Sequence, residues 1–126
     1  MGHVEVVLTI YDRVARGESP RELFHEDVEW SMPHPGGEAH GLAEVGAFWR
    51  GYESAWSERV IELDEVRPLD DERVLVFFRE TATGRASGIE TDASPAAIWT
   101  VRDGKVARFE AWIDRADALR AAGLEA

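Results

Sequence analysis

Between Arg73 and Asp114 the chain reads as strand with few interruptions, and this stretch limits the possible folds more than any other. The run Val74-Leu75-Val76-Phe77-Phe78-Arg79-Glu80-Thr81 and the segment from Ile89 to Asp114 are rich in Val, Ile, Phe and Trp. Branched and flat side chains of this kind suit a pleated surface. Arg102-Asp103-Gly104-Lys105 carries the Asp-Gly pair of a two-residue hairpin, whose central positions need positive φ. The expectation is a bent antiparallel sheet with one apolar face that the preceding segments must cover.

Those segments carry helix and strand signals. Val4, Val7, Leu8, Tyr11 and Val14 fall at helical spacing and predict an amphipathic helix ending near Gly17. Ser19-Pro20-Arg21-Glu22 has the residues of a capping box, which predicts a short second helix carrying Leu23 and Phe24. Asp27 to Met32 alternates polar with apolar and stops at Pro33, as a strand with Val28, Trp30 and Met32 on one face. Val45, Phe48, Trp49, Tyr52 and Trp56 predict a long helix from Leu42 with a broad aromatic stripe. Arg59 to Leu69 alternates again and is closed by the turn Asp70-Asp71-Glu72. At the far end Asp114 can cap a last helix, with Ala118, Leu119 and Ala122 on its buried side and Gly123 to terminate it. The order gives an α+β fold with helices gathered on one face of a mainly antiparallel sheet.

Composition narrows the functions. The 126 residues suit a single domain, 1–126. Fourteen basic against twenty-five acidic residues give a net charge of −11, a field that repels phosphate backbones and anionic lipid, so neither nucleic acid nor membrane is expected as a partner. With no cysteine, a disulfide framework and a thiolate metal site are both excluded, and a soluble, cytoplasmic protein is the expectation. The N-terminal residues lack the basic start and cleavage site of a signal peptide. No two of the four histidines, His3, His25, His34 and His40, have a metal-pair spacing, so no metal is expected.

In this order of elements the chain resembles the nuclear transport factor two-like superfamily and, within it, the SnoaL-like proteins, which are polyketide-cyclase-like and ketosteroid-isomerase-like. The resemblance rests on Tyr11-Asp12 and Gly17-Glu18, on Leu23 to Trp30, on His40-Gly41, on Trp99 to Val106, and on Ala118 to Leu124. It implies a cone-shaped α+β barrel: a strongly curved, mainly antiparallel sheet wrapped around helices, enclosing a pocket, commonly paired as a homodimer through the sheet's outer face. It also implies a small-molecule function without cofactor. Three mechanisms of similar proteins lose their key group here. The carboxylate pair of the isomerases falls at Trp30 and Ala97, the acids flanking an epoxide-hydrolase arginine fall at Thr81 and Ala111 beside Arg79, and the cyclase acid falls near Ala111.

Strand alternation turns Phe109, Ala111 and Ile113 inward on the last strand, Ala97, Trp99 and Val101 on the one before, and Leu75, Phe77, Arg79 and Thr81 on the strand from Val74; a slip of one residue exchanges the sets. An arginine in such an apolar run needs a carboxylate or a ligand oxygen. Arg79 is therefore either ion-paired with Glu90, Asp92 or Glu110, or it holds a ligand. His34, in the Pro- and Gly-rich loop, is either solvated or a proton carrier at the pocket mouth. Tyr11 and Glu90 complete the candidate catalytic set. Trp30, Trp49, Tyr52, Phe77, Thr81, Trp99, Phe109 and Ile113 are the candidate ligand-binding residues, for an apolar, ring-containing molecule. The readings left open are a cofactor-free isomerase, cyclase, dehydratase or hydrolase, a non-catalytic binder, and a dimerisation scaffold whose cone is filled.

Overall fold

Among the described residues seven strands form one curved, open sheet, and the hairpin between its two central strands sets the pattern. In the computed structural model, which describes residues 2–33 and 36–124, β6 (Ala96–Arg102) and β7 (Lys105–Trp112) are joined by Asp103 at φ 55° and Gly104 at φ 78°. Two consecutive positive φ values turn the chain with the twist of the flanking strands. The remaining strands are β1 (Phe24–Ser31), β2 (Glu38–His40), β3 (Trp56–Pro68), β4 (Arg73–Gly84) and β5 (Glu90–Ala93). Along the sheet the order is β2-β1-β7-β6-β4-β3, with β5 on β4. Among the described residues only β1 and β7 run parallel, and every other pair is antiparallel. β5 and β6 follow the same edge of β4 and are separated at Ser94-Pro95, so the long β4 strand bridges two stretches of sheet.

The helices divide between the two faces. α1 (His3–Ala15) and α2 (Gly41–Ser54) cover the inner face, where Val6, Val7 and Ile10 pack with Val74, Val76, Ala97, Val106 and Phe109. α3 (Arg115–Ala121) sits on the outer face, burying Ala118 against Leu75, Ala96 and Ile98. Helices gathered on a single face therefore describe two of the three. Asp114 caps α3 as its sequence suggests, its Oδ1 accepting from the Ala116 N–H at 2.8 Å, and Gly123 follows at φ 80°.

Three local expectations shift. The second helix is a single 3-10 turn, Arg21–Leu23, because Glu22 bonds Arg13 of α1 instead of closing a capping box, and Phe24 is already extended. On α1 the buried stripe is rotated toward Val6 and Ile10, leaving Leu8 42% exposed. α2 ends at Ser54, so Trp56 opens β3.

Candidate functional site

Pairing register decides which side chains meet on the inner face. Trp30 stands opposite Phe109, and Phe109 opposite Trp99, so three neighbouring strands place their largest rings in one row. Trp30 and Phe109 stack with centroids 4.0 Å apart, and Trp99 meets Phe109 edge-on at 4.5 Å. α2 does not close down on this row. Its Trp49 and Tyr52 stay only half-buried, since they face a hollow instead of a packed core. The hollow is a cavity of about 630 Å³ between sheet and helices, lined by Tyr11, Trp30, Trp49, Tyr52, Arg59, Ile61, Phe78, Glu80, Trp99 and Phe109 among others. That volume lies in the range of small-molecule pockets.

The aromatic wall carries one charged cluster. Glu80 on β4 stands opposite Ile61 on β3, and Arg59, two residues back on β3, reaches it: Arg59 Nε donates to Glu80 Oε2 at 3.1 Å. The Tyr52 hydroxyl of α2 donates to Glu80 Oε1 at 2.9 Å, so both carboxylate oxygens are engaged. The guanidinium carbon of Arg59 lies 4.8 Å from the centre of the Trp49 ring and 5.3 Å from that of Tyr52. These rings favour a cation on their faces. Arg59 and Glu80 are 11% and 17% exposed, so the pair is neutralised where water is scarce. Burial first, and then the Glu80 carboxylate, push the Tyr52 phenol up to about 12.

Tyr11 forms a second, neutral polar point. Its hydroxyl accepts from Trp99 Nε1 at 3.2 Å, and burial raises its pKa well beyond the ordinary tyrosine range despite that bond. A phenol kept protonated, with a lone pair already occupied, is left to act as a donor.

Of the predicted site residues, Tyr11, Trp30, Trp49, Tyr52, Trp99 and Phe109 come together around the cavity. On β4 the expected register is wrong by one residue. Val74 lies opposite Trp99 and Val76 opposite Ala97, and residues paired across antiparallel strands share a face. Val76, Phe78 and Glu80 therefore face inward with Trp99, and Phe77, Arg79 and Thr81 face out. Arg79 has a side chain 51% exposed, 3.9 Å from Asp92, the structural ion pair that was one of its two readings. Phe77 packs on the α3 side beneath the Arg115 guanidinium, 4.9 Å from its ring centre. Thr81 lies opposite Val60 and Asp92. Glu90 is exposed on β5, opposite Thr83. Ile113 is 66% exposed, because β7 ends at Trp112 and the chain turns there toward α3. His34 lies outside the described residues. Arg59 and Glu80 are the polar residues that sequence reasoning missed. Their signal was alternation in β3, where Arg59 and Ile61 share a face, carried across to β4.

Among the described residues no helix is long and apolar enough to cross a membrane. Residues 10–109 match the family described as SnoaL-like domain. Among curated proteins none matches. Solved structures do: an NTF2-like protein of unknown function from Burkholderia pseudomallei is 26% identical with a TM-score of 0.80, over 95% of this chain and 97% of that one. TerC co-crystallised with polyporic acid is 24% identical with a TM-score of 0.76, over 96% and 98%. A Catenulispora acidiphila protein with a ketosteroid isomerase-like fold, in complex with trimethylamine, is 13% identical with a TM-score of 0.75, over 95% and 93%.

Proposed function

Because the chain belongs to the SnoaL-like domain family, we propose that its cavity binds an apolar, ring-containing small molecule and acts on it without a cofactor, by general acid–base chemistry of the isomerase, cyclase, dehydratase or hydrolase kind. One observation carries the reading: among the described residues, the least exposed charged side chains lining an aromatic cavity of about 630 Å³ are Arg59 and Glu80, joined in one cluster with Tyr52. In this scheme Glu80 takes a proton from a ligand carbon, and Tyr11, which keeps its own proton, donates to the ligand oxygen where charge develops. The absence of cysteine supports a reducing, cytoplasmic setting.

A second reading, binding without turnover, draws on a specific fact. Tyr52 and Arg59 hold both oxygens of Glu80, and a carboxylate so stabilised is a weaker base. Two measurements separate the readings. In heavy water the parent protein should speed hydrogen exchange beside the carbonyl of 2-tetralone, and Glu80→Gln should remove the effect, since a positioned base contributes roughly 10²- to 10⁴-fold. Polyporic acid, the ligand of TerC, should quench tryptophan fluorescence in both proteins. Quenching without exchange in the parent leaves the binding reading alone; neither effect removes both.

The homodimer implied by the family likeness would use the outer face of the sheet beside α3, where Val60 is 54% exposed. Light scattering should then return twice the chain mass of 14.1 kDa, and a single-chain mass would reject it.

A further inference from the structure

Arg59 and Glu80 meet through one hydrogen bond, Nε to Oε2 at 3.1 Å. A guanidinium has five N–H donors and can pair side by side with a carboxylate through two of them. Here Glu80 takes only one, and the Tyr52 hydroxyl is the other polar side chain that the guanidinium reaches. The Trp49 and Tyr52 ring centres lie 4.8 Å and 5.3 Å from its central carbon, and the N–H bonds of a guanidinium all lie in its own plane. Among the described residues Glu80 is the one carboxylate paired with it. A cation only 11% exposed thus lines the cavity with donors to spare, and spare donors in a water-poor site favour an acceptor that brings negative charge.

We propose that this acceptor belongs to the ligand: a planar anionic group, a carboxylate or the ionised enol of a hydroxy-carbonyl ring, held by the terminal nitrogens of Arg59 while the rings lie along Trp30, Trp99 and Phe109. This rests on the cavity being the binding site argued above and narrows its ligands to acidic ring compounds. Glu80 has a double part in it. It keeps the empty cavity neutral and Arg59 tethered, and it repels the incoming anion, so removing its charge should strengthen anion binding.

The probes are 2-naphthoic acid and its neutral counterpart 2-naphthamide, titrated calorimetrically into the parent, Arg59→Gln, Glu80→Gln and the double variant Arg59→Gln/Glu80→Gln. The parent should favour the acid by roughly tenfold or more, as a charge-assisted bidentate contact does. Arg59→Gln should bring the acid down to the level of the amide without moving the amide, and Glu80→Gln should tighten the acid several-fold or so. Since Arg59→Gln strands a buried carboxylate, the double variant, with a neutral pair, keeps the test valid if the single one misfolds; there acid and amide should bind alike. Equal binding of acid and amide to the parent, or an acid preference that survives loss of Arg59, overturns the proposal and leaves the cavity reading standing. If neither naphthalene binds the parent, the cavity reading fails and this inference falls with it.

Discussion

The chain has two tyrosines, both on the cavity wall, and burial keeps each protonated. Tyr52 is raised from 10.0 to about 12, chiefly by burial and then by Glu80, whose carboxylate both repels a phenolate and accepts the phenol proton. Tyr11 is raised further, and burial is again the largest cause. A group whose folded pKa lies above its unfolded one holds a proton that the unfolded chain sheds first, so its contribution is whole below the unfolded value and is lost as pH climbs through the folded one. For Tyr52 the window runs from about 10 to about 12. Near-ultraviolet absorbance should show no tyrosinate in the folded protein at a pH where the urea-unfolded chain is already ionised, around 10, and stability should fall steadily above that pH. Tyrosinate appearing at the same pH in both states would place the phenols in water. Glu80→Gln should lower the Tyr52 value, because a neutral amide no longer repels the phenolate.

Of the strands buried on both faces, β6 was read with Ala97, Trp99 and Val101 inward, as found, whereas the register of β4 was not readable. The hairpin at Asp103-Gly104, the cap at Asp114 and the aromatic stripe of α2 as far as Tyr52 are local signals, and the structure bears them out; Trp56, read into the same stripe, opens β3 instead. β4 fails because Val74-Leu75-Val76-Phe77-Phe78 has no polar residue to mark a face, and it has none because α3 covers the side that the sequence offers as solvent. The polar residues that follow this run, Arg79 and Glu80, are adjacent and ionic, so alternation alone cannot say which points inward; the pairs Val76–Ala97 and Ile61–Glu80 decide it. This register is open to test by urea denaturation. Val76 is 0% exposed, so Val76→Ala should cost about 2 kcal/mol through lost burial and the void left behind. Arg79→Met trades an exposed ion pair for an exposed thioether and should stay within about 0.5 kcal/mol, leaving ligand binding unchanged. A large loss at residue 79 would mean that its side chain is buried after all. Asp114→Ala, which removes the cap of α3 and loosens the outer cover, should cost about 1 kcal/mol.

At the scale of the whole molecule the cavity sits in a protein of net charge −11, yet its deepest charged residue pair sums to zero and its spare donors are cationic. Arg21 and Arg50 are balanced at the exposed parts of the lining by Glu18 and Glu53, so nothing there cancels the general field. An anionic ligand therefore approaches against repulsion and is held by a contact that is shielded from water once made. The two terms respond differently to salt. Screening shortens the reach of the field from about 10 Å at 0.1 M to about 3 Å at 1 M, while the partly buried contact at Arg59 is screened much less. Stopped-flow association of 2-naphthoic acid should accordingly speed up as salt is added, with little change in its dissociation rate, whereas 2-naphthamide should be indifferent to salt in both. This is opposite in sign to the usual behaviour of an anion meeting an arginine on a surface. An association rate that falls with salt would show that the basic side chains of the lining govern approach, and a dissociation rate that rises steeply with salt would place the anion in open water and away from Arg59.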